Sequence, residues 1–272
     1  MSQSTTLPPT PELPDAVFSS RACINNVSLW YAAYGPPLAG QTPVIFLHGG
    51  KISSRWWGNQ IRHLVKQGLS VIVVDTRGHG RSTDDPDTPL SYHLFADDIA
   101  ALVDHLGITV GSFVGWSDGA NTCLALAMRH RAKVQSIFAF GPNYCPDQAI
   151  PYVPSRVPFL EDLMSRMKTE YQEISATPEL FDTFKAKVVS MQQTYPNWTA
   201  QDFRQITSDS THRSIIVWIV TGDSEELIQH HVAKEIATMI EGSVYVELQG
   251  VGHFAPLQDA VFFNRALDAW LS

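Results

Sequence analysis

Short apolar, β-branched runs alternate along this chain with longer amphipathic stretches. The runs cover residues 27–34, 44–47, 71–75, 111–114, 136–140, 215–221 and 244–248. Several are apolar throughout, the pattern of parallel strands covered on both faces. The stretches between them carry helix signals. Ser91 is placed to cap a helix running to His105, with Gly107 as its stop, and Gly68 follows a helix ending at Lys66-Gln67. Further helices are expected from Asn121 to His130 and from about Gln258 to Leu271. Strands alternating with helices predict βαβ units and a mostly parallel, doubly wound α/β sheet.

One stretch breaks the alternation. From about Cys145 to His212 no strand pattern occurs. Leu160, Leu163, Met164, Met167 and Tyr171 recur at helical spacing, as do Phe181, Phe184, Val188 and Met191, and Pro151, Pro154, Pro158, Pro178 and Pro196 punctuate the region. This predicts a helical insertion, residues 145–212, between two strands of a core formed by residues 17–144 and 213–272. Strand-end loops carry the sites of such sheets, so the insertion is expected to lie over the site as a cap. Most of its apolar stripe is expected to be cap core. Met164, Met167 and Trp198 are the candidates for its underside, facing an apolar or aromatic substrate of modest size. Residues 1–16 are Pro/Ser/Thr-rich and are expected to form a flexible arm.

Composition narrows the partners. With 19 Lys+Arg against 27 Asp+Glu, the 272-residue chain carries a formal charge of -8. Nucleic acid and anionic membranes would repel it, leaving a small molecule as the expected partner. The N-terminus has neither the basic nor the apolar region of a secretory signal, and no apolar run approaches the ~20 residues of a membrane helix. A cytoplasmic location is the expectation. Cys23, Cys123 and Cys145 then read as reduced thiols, and the sequons at Asn26 and Asn197 as idle. No metal-ligand cluster is present, nor a G-x-G-x-x-G following a strand, so no metal and no cofactor is implied. The sequence makes no statement on oligomeric state.

The chemistry is concentrated in three loops. A predicted strand runs into Gly115-Trp116-Ser117-Asp118-Gly119, and a helix follows. A G-x-S-x-G between strand and helix puts the serine on a sharp turn with Oγ exposed above the sheet, and the glycines let strand and helix pass closely. Ser117 is therefore the candidate nucleophile, and the Asp118 N–H points at a developing oxyanion. A serine hydroxyl is a weak nucleophile and needs a base to take its proton. Downstream, Asp223 follows the strand ending in Thr221-Gly222, and His253 follows the last strand in Gly250-Val251-Gly252-His253. Asp223 is the expected acid, with Glu225 and Glu226 as fallbacks that should begin the next helix. His253 is the expected base.

These motifs resemble the α/β-hydrolase superfamily from about Val27 to the C-terminus. The elbow Gly115-Trp116-Ser117-Asp118-Gly119 is most similar to the valacyclovir-hydrolase-like branch, which usually has glycine where this chain has Ala120. The resemblance implies an α/β-hydrolase fold with a helical cap and a triad of Ser117, Asp223 and His253. It also implies Gly50, within His48-Gly49-Gly50-Lys51, as the second oxyanion donor beside Asp118. His48 is expected to order its loop rather than act as a base, and Asp75-Thr76-Arg77-Gly78-His79-Gly80-Arg81-Ser82 to be structural. Lys51, Trp56, Trp57 and Trp116 are candidate substrate contacts, although the tryptophans could equally anchor a helix. In that branch the residue matching Asp118 takes a substrate ammonium; the alternative is a carboxylate turned into the loops and paired with an arginine.

The reading is a cofactor-independent serine hydrolase cleaving an ester, lactone or related carboxyl derivative through an acyl-enzyme. A C–C bond hydrolase, lyase or cyclase on a diketone- or polyketide-type substrate would keep the same triad. From another class, a receptor with slow or no turnover would keep the pocket alone.

Overall fold

The computed structural model describes residues 6–38, 40–207 and 214–272. The cap boundary expected at residues 212 and 213 lies outside them, as do the first five residues of the expected arm. In the core, strands and helices follow as β1 (Phe18–Ile24), β2 (Val27–Tyr34), β3 (Val44–Leu47), α1 (Gly58–Lys66), β4 (Val71–Val74), α2 (Tyr92–His105), β5 (Gly111–Trp116), α3 (Asp118–Arg129) and β6 (Val134–Phe140). Next come α4 (Leu160–Ile174), α5 (Phe181–Thr194) and α6 (Ala200–Arg204). The chain returns to the core with β7 (Ile216–Gly222), α7 (Val232–Met239), β8 (Val244–Leu248), α8 (Ala255–Gln258) and α9 (Ala260–Leu271).

The strands form one sheet in the order β1-β2-β4-β3-β5-β6-β7-β8. From β4 to β8 all neighbours pair in parallel, whereas β2 is antiparallel to both β1 and β4. β3, β4 and β5 are buried along their whole length, as their unbroken apolar runs require. The strand order reverses direction about β3, which makes the ends of β3 and β5 the switch point where such sheets bind ligands.

β1 is absent from the hydrophobic pattern because it is an edge strand with most of its residues exposed. Its hairpin turns through Asn25 and Asn26, at φ 46° and 66°. Two consecutive residues with positive φ give the two-residue turn that matches strand twist, and asparagine tolerates that conformation. The helix starts and stops follow local chemistry. Ser91 Oγ accepts from Leu94 N at 3.1 Å at the start of α2, and Gly68 and Gly107 take φ of 81° and 67° after α1 and α2.

Between β6 and β7 the described chain is helical. Tyr171 of α4 stacks on Phe184 of α5 at 4.7 Å, and the same Phe184 meets core residue His79 edge-on at 4.8 Å. Residues 7–12 of the expected flexible arm are held in place. Leu7 is buried, and Arg166 on α4 donates to the carbonyls of Leu7 and Pro8. Farther along, the Glu12 carbonyl lies so close to Gly58 that a Cβ there would meet it at 2.5 Å. Leu7 finds apolar neighbours and Arg166 finds carbonyl acceptors, which outweighs the disorder its composition favours. No described helix is long and apolar enough to cross a membrane.

Candidate active site

Strand register brings the three chemical loops together. Leu47 of β3 pairs with Gly115 of β5, so His48-Gly49-Gly50 emerges beside Trp116-Ser117. Trp116 pairs with Phe140 of β6, whose carbonyl accepts from Ser117 N at 2.8 Å. Gly222 of β7 pairs with Leu248 of β8, which starts the loops carrying Glu225 and His253 side by side.

Ser117 has φ 56° and ψ -118°, a conformation that non-glycine residues rarely hold. The surrounding packing enforces it. A Cβ on Gly115 would meet Gly119 O at 2.3 Å, and one on Gly119 would meet Leu47 O at 2.1 Å, so strand and helix cross at backbone contact. Helix α3 starts immediately, with Ser117 as N-cap, and aims its positive end at the space above Oγ. Gly50 is equally confined, since a Cβ there would lie 2.2 Å from Asp118 Oδ2. Neither Gly50 N nor Asp118 N donates to a protein acceptor among the described residues.

His253 is buried, and its Nδ1 lies 2.8 and 3.0 Å from the two carboxylate oxygens of Glu225. A carboxylate accepts, so Nδ1 carries the proton and Nε2 presents its lone pair. The Glu225 side chain is only 1% exposed, and its Oε1 also accepts from Leu227 N and Ile228 N at 2.9 and 3.2 Å. Glu226 Oε2 takes His253 N at 2.6 Å, anchoring the histidine's backbone. Burial opposes the imidazolium, but Glu225, with Glu226 and Asp118, outweighs it and holds the His253 pKa above its ordinary 6.5. Burial, with Glu225 alongside, pushes the Glu226 carboxyl up.

Asp223, the acid expected from the sequence, is not on His253. Its backbone N still donates across the sheet to Leu248 O at 2.9 Å, and its Oδ1 accepts from Gly250 N at 2.9 Å and Ser224 Oγ at 3.1 Å. At that point the chain has not left the sheet edge, so the carboxylate staples the turn after β8. Two residues later the chain has turned under the imidazole, and Glu225 supplies the carboxylate. Nor do Glu225 and Glu226 begin a helix: α7 starts at Val232, and both glutamates face His253 from a loop.

Ser117 and His253 share a narrow recess with apolar walls from Ile52, Trp116, Tyr152, Met167 and Phe254. Gln192 from α5 supplies a polar wall. Of the expected contacts, Trp116 lines this recess. Trp56 and Trp57 do not: both are fully buried, Trp56 donating Nε1 to Glu170 Oε2 at 3.0 Å and Trp57 packing among Phe46, Trp116 and Phe263. They anchor the turn before α1. Met164 packs on the core a turn away from Met167, and Trp198 lies at a separate depression, stacked near His93. Lys51 is buried behind Gln192, to which it donates at 3.0 Å. Tyr152 and Gln192 escape sequence reasoning because one lies in an irregular, Pro-flanked loop and the other is polar among apolar helical positions.

The Asp118 carboxylate is turned into the loops, as one expected alternative has it, but its partners are neutral donors. Tyr92 Oη donates to its Oδ1 at 2.8 Å and Gln192 Nε2 to its Oδ2 at 2.9 Å, with no arginine on it among the described residues. Burial raises its pKa, while Lys51 is the main opposing influence; burial in turn lowers the Lys51 pKa, opposed by Asp118. The ring nitrogens of His48 meet Gly49 O at 2.8 Å and Thr76 N at 3.1 Å, ordering the loop after β3. In the loop after β4, Arg77 and Asp98 form a bidentate pair, both bonds 2.8 Å, and Asp75 accepts from Ser54 and Arg81.

The chain belongs to the α/β hydrolase fold family, whose model matches residues 42–260. It is a hydrolase with esterase-like relatives. One of these, a bifunctional esterase/perhydrolase of Acinetobacter calcoaceticus, is 28% identical over 275 residues, covering 91% of this chain and 97% of the relative. Among solved structures, the N-acyl homoserine lactone degrading enzyme Est816 superposes with a TM-score of 0.69 at 22% identity, covering 92% of this chain and 99% of its own. The enol-lactonase of Burkholderia xenovorans LB400 does so with 0.67 at 22%, with the same coverage. At these identities the structures share the fold.

Proposed function

We propose that the protein is a serine hydrolase that cleaves esters or lactones of small, largely apolar acyl groups. The observation that carries this reading is the Glu225–His253 pair facing the same recess as Ser117 on its strained turn. His253 Nε2 takes the Ser117 proton as Oγ attacks the carbonyl. Glu225 fixes the tautomer and stabilises the imidazolium. The carbonyl oxygen, becoming an oxyanion, accepts from Gly50 N and Asp118 N at the positive end of α3. His253 returns the proton to the leaving alcohol, and a water activated by the same Nε2 hydrolyses the acyl-enzyme. The narrowness of the recess and the apolar side chains on its walls favour a short acyl chain.

A fluorophosphonate probe tests this directly. Native protein should label at Ser117 and hydrolyse short 4-nitrophenyl esters or γ-lactones, and Ser117→Ala should do neither. Native protein that neither labels nor turns over any of these would overturn the reading.

A further inference from the structure

The amide of Gln192 is fixed in orientation by two unlike partners. Its Oε1 accepts from Lys51 Nζ at 3.0 Å, and its Nε2 donates to Asp118 Oδ2 at 2.9 Å. An amide nitrogen has two hydrogens. Asp118 takes one, and no protein acceptor among the described residues takes the other. That nitrogen lies against the loop after β3, since a Cβ on Gly50 would come within 2.6 Å of it. Gln192 also lines the recess with Ser117 and His253. That nitrogen therefore lies beside Gly50 on the wall of the recess.

Gln192 bridges the two opposite charges beside it, Lys51 and Asp118, which offset each other across the amide. Asp118 holds Tyr92 and Gln192 and faces Lys51, and Lys51 lies buried behind the amide. A charged substrate group would lose its water here without gaining a free counter-charge. A neutral oxygen would lose less and gain a hydrogen bond.

We propose that Gln192 is a specificity-determining residue. It donates its second Nε2–H to a neutral oxygen on the acyl part of the substrate, one or two atoms from the scissile carbonyl. The substrate class is then esters or lactones whose acyl group carries an ether, hydroxyl or keto oxygen, in preference to plain hydrocarbon or ionised acyl groups. This rests on the hydrolase reading at Ser117.

The test compares 4-nitrophenyl methoxyacetate with 4-nitrophenyl butyrate, which differ by an oxygen for a methylene. Their kcat/KM ratio is divided by the ratio for hydroxide hydrolysis, which removes the intrinsic reactivity difference. Native enzyme should retain an excess preference of about tenfold for the methoxyacetyl ester, the equivalent of one hydrogen bond. Gln192→Met, of similar length without the N–H, and Gln192→Glu should lose that excess while still labelling with fluorophosphonate. A native ratio equal to the chemical one overturns the proposal whatever the variants do, as does a Gln192→Met enzyme that keeps the excess. Native protein that fails to label at Ser117 indicts the hydrolase reading itself.

Discussion

Two residues apart in the loop after β7, Asp223 and Glu225 take their carboxylates to different places. Sequence position alone favours Asp223, the first acid past the strand. The pairing of Gly222 with Leu248 decides otherwise, because it holds Asp223 at the sheet edge until the chain has turned. Ser117 and His253 are legible from their glycine contexts, which encode backbone contacts any such elbow needs. The acid is not, because its identity depends on how many residues the loop spends before turning. Glu225→Gln should lower kcat/KM by about 10²–10⁴-fold, the range for losing the group that orients a catalytic histidine. Asp223→Asn should cost less than tenfold; steady-state kinetics on one ester distinguishes them. Comparable losses in both variants would return Asp223 to the mechanism. Because the His253 pKa lies above 6.5 and the base must be neutral, activity rises with pH through that raised value. The acid limb of kcat/KM should have its midpoint above pH 6.5 and move down in Glu225→Gln; a midpoint below 6.5 in native enzyme would contradict the ion pair.

Among the elements, the parallel strands were readable because burial on both faces leaves an unbroken apolar signature. β1 was not, since an exposed edge strand imposes little pattern; only Asn25-Asn26 marks its turn. The aromatic pair before α1 shows the same ambiguity at closer range. Apolar residues beside a catalytic loop can line a pocket or fill a core, and sequence does not say which. Trp57, fully buried among Phe46, Trp116 and Phe263, belongs to the core. Trp57→Ala should therefore cost about 3–5 kcal/mol of stability, the usual range for emptying a buried aromatic site. Urea denaturation measures it; a loss under about 1 kcal/mol, within what surface substitutions cost, would place Trp57 outside the core.

At the scale of the whole molecule, acid sensitivity follows from histidines buried in neutral form. Burial lowers the His48 pKa, and burial with His48 nearby lowers that of His79 well below 6.5. Below pH 6.5 the unfolded chain binds protons that these two groups refuse in the native state, so stability falls as pH falls. The slope reaches up to about 1.4 kcal/mol per pH unit for each group. His253 acts in the opposite sense: its contribution is full below 6.5 and fades as pH rises through its raised value. Denaturation midpoints from pH 7.5 to 5 should decline in native protein and decline less in His79→Gln; an equal decline would assign the acid sensitivity elsewhere. The segment from Leu7 to Glu12 has a mechanical meaning. It leans on α4 through Arg166 at one end and on α1 at Gly58 at the other. The helical layer is thus pinned to the sheet domain through that strap as well as through direct bonds such as Trp56–Glu170 and Lys187–Asp84. A roof nailed at several points does not swing on any one of them.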